Sequence, residues 1–142
     1  MNALSAAVAG AATFVWLGMV LAISFLEAPL KFRAPGVTIP IGLGIGRLVF
    51  RALNLVEAAL AGAVIISAVV GSAPGVVTVL TLVVSLLLLG QLAVIRPRLN
   101  RRSDRVLAGE DLPRSRGHLS YVAAEIAKVV ALLCLGVSLL NV

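Results

Sequence analysis

Two acids and one lysine interrupt long apolar stretches of the sequence. Glu57 lies in the second such stretch, and Glu125 and Lys128 lie in the fourth. A charge near the centre of a bilayer is costly, so it usually faces the interior of a helix bundle, finds a partner and often marks a functional site. Carboxylates in such a place predict the binding of a cation or the relay of protons. The alternative is a structural role, in which buried ion pairs fix the register of the helices.

Polar side chains around these charges recur at helical spacing. In the second stretch they are separated by four, three and three positions, and comprise Arg47, Arg51, Asn54 and Glu57. In the fourth stretch they are separated by three, four and three positions, and comprise His118, Tyr121, Glu125 and Lys128. Each set therefore lies on one face of its predicted helix. We expect Lys128 to pair with Glu125 on its own helix and with Glu57 across the interface. Gln91 of the third stretch is placed to join them.

The two polar faces predict one site for a substrate or an ion, in a polar cavity that opens to the cytoplasm. Its candidate residues are Arg51, Asn54, Glu57, His118, Tyr121, Glu125 and Lys128. His118 lies at the predicted membrane edge, which favours an interfacial role, and a single histidine cannot form a bis-histidine haem site within one chain. Trp16 and Tyr121 are also interpretable as packing or interfacial aromatics and no more, and Cys134 as a small apolar packing residue. No catalytic residue, metal ligand or cofactor is predicted.

Length and composition identify the elements that must position these residues. The chain has 142 residues, of which 61% are hydrophobic and 13% are charged, whereas a soluble domain is nearer to half apolar and a quarter charged. Because about 20 apolar residues cross a bilayer, the four apolar stretches predict an all-α, polytopic membrane protein, a single four-helix transmembrane bundle. We place the helices at about 3–26, 40–70, 76–95 and 118–140. The first lacks the basic start and the short core of a signal peptide, so we interpret it as a retained helix.

Positive charge is concentrated in two of the three connections. Twelve Lys and Arg residues stand against six Asp and Glu, and most lie in or beside the predicted loops 27–39 and 96–117. The positive-inside rule therefore places both loops in the cytoplasm and both termini outside, across the inner membrane. The loops are expected to contact anionic lipid headgroups of the bilayer and not nucleic acid. Prolines at 29, 35 and 40 predict a bent first loop, and glycines at 42, 44 and 46 predict a close helix approach.

Short stretches spread over most of the chain resemble the bacterial "domain of unknown function 4149" proteins and the eukaryotic transmembrane protein 205 family. The stretches are WLGMVLAISFLEAPLKF, GIGRLVFRALN, RPRLNRR and RSRGHLSY. The residues that match the family pattern, in order, are Trp16, Gly18, Ala28, Pro29, Phe32, Gly46, Phe50 and His118. The resemblance implies a four-helix membrane protein without an established chemistry, and a suggested link to drug efflux. Glu57, Glu125 and Lys128 are not part of the family pattern.

A segment of the second helix resembles a second family. The run RALNLVE, from Arg51 to Glu57, is similar to the Arg-Ala-x-x-Asn-x-x-Glu motif of the membrane-associated eicosanoid and glutathione metabolism family. The Asn-x-x-Glu spacing matches, whereas the arginine stands one residue closer to Asn54, a rotation of about 100° around the helix. This resemblance implies a four-helix trimer that binds glutathione between its subunits.

Three function classes follow, and the sequence leaves them open. The leading class is a small transport or permease-type protein that uses Glu57, Glu125 and Lys128. The second is a membrane enzyme of glutathione or lipid type, in which Arg51, Asn54 and Glu57 hold a cytosolic cosubstrate, and an enzyme is the less favoured class. The third is an accessory or assembly subunit of a larger membrane complex. Because one small bundle leaves little room for alternating access, we expect a homo-oligomer or a partner membrane subunit.

Overall fold

The structure, a computed structural model, describes residues 1–110 and 116–142, and the side chains of all these residues except 116–118. In this part of the chain there are four long helices and no strand. The helices are α1 (Ala3–Arg33), α2 (Ile39–Val70), α3 (Gly75–Leu107) and α4 (Arg116–Leu140). Each contains a stretch long and apolar enough to cross a membrane. The predicted all-α, four-helix architecture is confirmed, and the chain is a multi-pass membrane protein.

The helices run antiparallel, and apolar side chains fill the bundle in three clusters. The cluster at the end that holds both termini comprises Ala9, Ala12, Val64, Val77, Leu135 and Leu139. The central cluster comprises Trp16, Leu17, Val20, Ala61, Val84, Leu88, Ala131 and Leu132. The cluster at the opposite end, where the basic residues gather, comprises Phe50, Leu53 and Tyr121. These two ends are called the terminal end and the basic end below.

Large apolar side chains also cover the outside of the bundle. More than half of the surface of each of the following is exposed: Leu4, Leu48, Val69, Leu86 and Leu140. A surface of this kind drives aggregation in water, whereas lipid tails solvate it at no cost. Each helix therefore needs to bury only one stripe of its surface, and that inner stripe is where the polar residues of interest lie.

Helices α1 and α3 each continue past a proline. In α1 the α-helical hydrogen bonding changes to a π-helical segment, Leu21–Glu27, just before Pro29. In α3 the same change occurs at Gln91–Ile95, just before Pro97. Proline has no N–H and its ring crowds the preceding helical turn. After the wider π-helical turn, each proline lies in the first turn of a new helical segment, where its missing N–H costs little.

These continuations correct two predicted connections. The predicted loops 27–39 and 96–117 are helical as far as Arg33 and Leu107 respectively. Pro29 does not end the helix, whereas its presence predicted a bent loop at this position. Both helices consequently carry basic side chains beyond their apolar parts, and these side chains gather over the basic end of the bundle.

The other predicted helix ends agree with the structure. The side chain of Thr38 accepts a hydrogen bond from the Ile41 N–H at 3.4 Å and so caps α2. Helices α2 and α3 form an antiparallel hairpin, with a tight turn at residues 71–74. Gly71 allows the start of α1 to approach this turn, because a Cβ there would lie 2.6 Å from Ser5 Cβ.

Candidate functional site

Five buried side chains, one or two from each helix, form a hydrogen-bonded group that we call the charged cluster: Trp16, Glu57, Gln91, Glu125 and Lys128. Lys128 Nζ lies 2.6 Å from Glu57 Oε2 and 2.7 Å from Glu125 Oε1, and it donates to Gln91 Oε1 at 2.7 Å. Gln91 Nε2 donates to Glu125 Oε1 at 2.6 Å. Trp16 Nε1 donates to Glu57 Oε2 at 2.7 Å. The predicted pairing of Lys128 with both acids is therefore present, and Gln91 joins them as expected.

The charged cluster is almost completely buried. Its two acids and its lysine are each at most 1% exposed. Burying a charge without a partner costs far more than burying a paired one, and here both carboxylates contact the same ammonium group. The cluster nevertheless holds one more acidic than basic side chain, so that one added proton or monovalent cation balances its charge when all three groups are ionised.

Trp16 contributes more to the cluster than the packing role that its sequence context predicted. Its indole N–H donates to Glu57 from the neighbouring helix. The side chain itself is buried in the central apolar cluster. A buried indole N–H usually finds an acceptor, which is the one signal that the sequence offered. Which acceptor it finds depends on how α1 is rotated against α2, and no local pattern specifies that rotation.

A cavity of about 530 Å³ opens at the basic end, with walls from all four helices. Glu125 belongs both to this cavity wall and to the charged cluster. Its Oε1 is held by Lys128 and Gln91, whereas its Oε2 is buried and has no hydrogen-bond partner among the described residues. The other members of the cluster do not line the cavity. A space of this size accommodates a drug-sized molecule. Within the charged cluster, Glu125 is the member that such a molecule would meet.

Arg96 lies in the wall of this cavity and not in a loop, where the sequence placed it. Its Cζ lies 4.5 Å from the centroid of the Phe50 ring and 4.7 Å from that of the Tyr121 ring. The two rings meet edge to face with centroids 5.6 Å apart. Such cation–π contacts hold a guanidinium in place without using its N–H donors. Sequence reasoning missed Arg96 because it is one of seven arginines in a stretch predicted to be a loop.

Two glycines of α2 make room for side chains from the end of α1. A Cβ at Gly42 would come within 2.2 Å of the Phe32 ring, and one at Gly46 within 3.0 Å of Lys31 Nζ. At Gly44 a Cβ would meet nothing within 4 Å. The close approach predicted for the three glycines therefore occurs at two of them, and it is an approach of side chains that form part of the cavity wall.

Two predicted site residues do not reach the cavity. Arg51 is exposed, Asn54 is half-buried, and neither lines the cavity. From the basic end to the charged cluster, the inward stripe of α2 comprises Gly42, Gly46, Phe50, Leu53 and Glu57. Arg51 and Asn54 each follow a member of that stripe by one position, which turns them about 100° away from it. Arg51, Asn54 and Glu57 therefore do not converge on one ligand within a chain.

The fourth helix presents its predicted site residues on one buried face. Tyr121, Glu125 and Lys128 are all buried, and Tyr121 lines the cavity. The side chain of His118 lies outside the described residues. Cys134, interpreted from the sequence as a small apolar packing residue, is exposed on the outer face of α4. Among the described residues, no group of three or more His, Cys, Asp or Glu is arranged to hold a metal ion.

Comparison with known proteins leaves the geometry as the basis for function. No protein-family model, no curated protein and no solved structure matches this chain significantly. The two family resemblances stay predictions, and the charged cluster and the adjoining cavity carry the functional argument.

Proposed function

We propose that the protein is a small transport or permease-type membrane protein, in which the charged cluster couples movement of a substrate to movement of a proton or a monovalent cation. The observation that carries this proposal is the position of Glu125. One of its carboxylate oxygens is part of the buried cluster, while the residue also lines a cavity large enough for a substrate. A group placed in this way responds both to what occupies the cavity and to the charge of the cluster.

The charge balance of the cluster supports coupling. With two carboxylates sharing one ammonium group, the cluster is neutral only after it takes up one more positive charge. A structural ion pair needs no such excess acid, and a hydrogen bond within a bilayer stabilises a bundle by only about 0.6 kcal/mol on average. An excess carboxylate in the interior is therefore better explained by a coupling role than by stability alone.

The shape of the bundle supports access from one side at a time. The cavity opens at the basic end, and the apolar cluster around Ala9, Val77 and Leu139 closes the bundle at the terminal end. By the positive-inside rule the basic end faces the cytoplasm of a cell with this protein in its inner membrane, and both termini lie outside. Movement of a substrate then requires opening of the terminal end, and a homo-oligomer or a partner membrane subunit supplies the second surface for such a rearrangement.

The decisive experiment measures proton exchange in inverted membrane vesicles, whose outer surface is the cytoplasmic side. Respiration acidifies the vesicle interior, and a quenched acridine dye reports the pH gradient. Dodecyltrimethylammonium, dodecyl phosphate and glutathione are added in turn as cationic, anionic and hydrophilic probes. With the wild-type protein we expect at least one probe to dissipate the gradient faster than in vesicles without the protein.

The variant Glu125→Gln should lose this protein-dependent dissipation, because glutamine preserves the size of the side chain but cannot carry the coupling charge. The matched control is Glu110→Gln, which removes an exposed acid that pairs with Arg105 outside the cavity. Its vesicles should behave as wild type. Equal dissipation in wild-type and Glu125→Gln vesicles, for every probe, contradicts the proposal.

A further inference from the structure

Arg96 has two N–H donors that the rest of the described chain does not use. Its Nε and Nη2 atoms are buried and have no hydrogen-bond partner among the described residues. These two atoms lie on the same edge of the guanidinium plane. That edge presents two parallel N–H groups, the arrangement that carboxylates and phosphates bind in bidentate fashion. A buried, charged donor without an acceptor is costly, so the pair is suited to an anion that enters the cavity.

The rings beside Arg96 fix its orientation before any ligand binds. Phe50 and Tyr121 contact the guanidinium through their rings, and both residues line the cavity together with Arg96. These ring contacts use no N–H donor, so Nε and Nη2 keep their hydrogen-bonding capacity. Because the side chain does not need to be ordered on binding, little conformational entropy is lost.

The other two cations of the described wall, Arg47 and Lys31, each have an acidic partner. Arg47 pairs with Asp104, and Lys31 Nζ lies 3.7 Å from Glu27 Oε2. Glu125 is the acid in this wall; it shares Lys128 with Glu57, and neither its Oε2 nor the Nε and Nη2 of Arg96 has a hydrogen-bond partner among the described residues. The wall as described therefore has Arg96 as its cation without an acidic partner, which favours an anionic ligand over a cationic one.

The cavity is too large for a simple inorganic anion, and most of its remaining wall is apolar, with Ser24, Asn100 and Ser103 as uncharged polar residues. The large apolar side chains in the wall are Phe25, Phe32, Leu43, Phe50, Leu99 and Val122. Phe25 and Phe32 are about two-fifths exposed, so the apolar wall continues to the outer surface of the bundle. A ligand that fills about 530 Å³ therefore needs an apolar body as well as an anionic group.

We infer that the cavity binds an amphipathic anion, whose carboxylate or phosphate group is held by the Nε and Nη2 edge of Arg96 and whose apolar body lies against the aromatic wall. This inference names the substrate class of the proposed transport function and rests on that function for the passage of the ligand. The binding itself stands on the geometry of Arg96 alone. The anion comes either from a soluble amphiphile or from the headgroup of a bilayer phospholipid, which share this chemistry.

Native mass spectrometry of the purified protein in a neutral detergent tests the inference, because the mass of the bound molecule identifies its source. The full chain is titrated separately with dodecyl phosphate, inorganic phosphate, dodecyltrimethylammonium and a phosphatidylglycerol. We expect saturable binding of one dodecyl phosphate or one phosphatidylglycerol per chain, and with an equimolar mixture of the two the mass of the complex decides between the sources. Inorganic phosphate and the cationic amphiphile should bind much more weakly.

Substitution of Arg96 separates bidentate recognition from charge. Arg96→Gln should weaken binding of dodecyl phosphate by about 10- to 100-fold, the range for a lost hydrogen bond to a charged group. Arg96→Lys keeps the positive charge at this position and so guards against a loss of binding that is caused by misfolding. Because lysine cannot offer a parallel pair of N–H donors, this variant should also bind dodecyl phosphate more weakly. Arg98→Gln, which removes an exposed arginine outside the cavity wall, should bind as wild type.

Three results would overturn the inference. They are equal binding by Arg96→Lys and wild type, equal binding of inorganic phosphate and dodecyl phosphate, and tighter binding of the cationic amphiphile. The vesicle experiment is independent of these results. Loss of binding in Arg96→Gln without any proton exchange in vesicles supports the anion site and contradicts transport. Proton exchange by a protein that binds no anion supports transport and contradicts the anion site.

Discussion

Lys128 is the residue on which the charged cluster depends. Its ammonium group contacts an acid on α2, an acid on its own helix and an amide on α3. It is also completely buried. Replacement of such a residue leaves acids inside the bundle without a cation, and this cost exceeds the value of the lost contacts themselves.

Lys128→Met should therefore lower the free energy of unfolding by about 3 kcal/mol, measured by thermal or denaturant unfolding in detergent. Trp16→Phe removes one hydrogen bond and little volume, and should cost about 1 kcal/mol or less. The matched control for Lys128→Met is the triple variant Lys128→Met, Glu57→Gln and Glu125→Gln, which removes all three charges together. Its stability should recover most of the loss. A triple variant no more stable than Lys128→Met would show that packing, and not unpaired charge, causes the destabilisation.

At the scale of the element, α2 decides which side chains shape the cavity. Its inward stripe has glycine at 42 and 46, and those positions admit Phe32 and Lys31 from the end of α1. Phe32 is partly exposed at the cavity mouth, so its ring is free to move outward if the space is filled. We therefore expect substitution of Gly42 to change the cavity entrance more than the stability of the fold.

Gly42→Ala should displace the Phe32 ring, because the new Cβ would otherwise lie within 2.2 Å of it. We expect altered binding of dodecyl phosphate with a change in stability of less than about 1 kcal/mol, since alanine gains up to that amount in helix propensity. The two quantities are measured by native mass spectrometry and by thermal unfolding. Gly44→Ala is the matched control, because its Cβ meets nothing within 4 Å. It should be slightly more stable and should bind as wild type, and a parallel change in both variants would contradict the role of Phe32.

The paired π-helical segments of α1 and α3 are a second feature at this scale. Each precedes a proline and keeps its helix continuous at the basic end. In α3 the continuation carries Arg96 into the cavity wall, just after the segment that holds Gln91. The prolines therefore mark changes in helix geometry beside the site and not its boundary.

At the scale of the whole molecule, orientation in the membrane determines which compartment reaches the cavity. Both chain termini and the α2–α3 turn lie at the terminal end, and the cavity lies at the basic end. The positive-inside rule predicts that the basic end faces the cytoplasm. Under the proposed transport function, we therefore expect a substrate to enter the cavity from inside the cell.

Single-cysteine labelling of spheroplasts checks this orientation. In a Cys134→Ser background, Ser72→Cys places a thiol in the exposed α2–α3 turn and Ala108→Cys places one in an exposed position after α3. A membrane-impermeant maleimide should label the first in intact spheroplasts and the second only after permeabilisation. The reversed pattern would place the cavity opening outside the cell. The Cys134→Ser chain alone should remain unlabelled in both conditions.

Much of the fold and part of the site follow from the sequence because their causes are local. The length of each apolar stretch determines a membrane span, and spacings of three and four positions determine that Tyr121, Glu125 and Lys128 share a face. The pairing of Lys128 with two acids follows from the cost of leaving any of them alone in a bilayer. These properties need no knowledge of how the helices contact one another.

Only the tertiary structure decides the rest, because it depends on helix rotation and on where each helix ends. The rotation of α2 turns Phe50 and Glu57 inward and leaves Arg51 outside, a difference of one position that the motif around Arg51 does not reveal. The rotation of α1 brings Trp16 to Glu57. The continuation of α3 past Pro97 turns Arg96 from a predicted loop charge into a half-buried cation that contacts two aromatic rings in the cavity wall. Local spacing specifies faces, but only the packing of four helices specifies which faces meet.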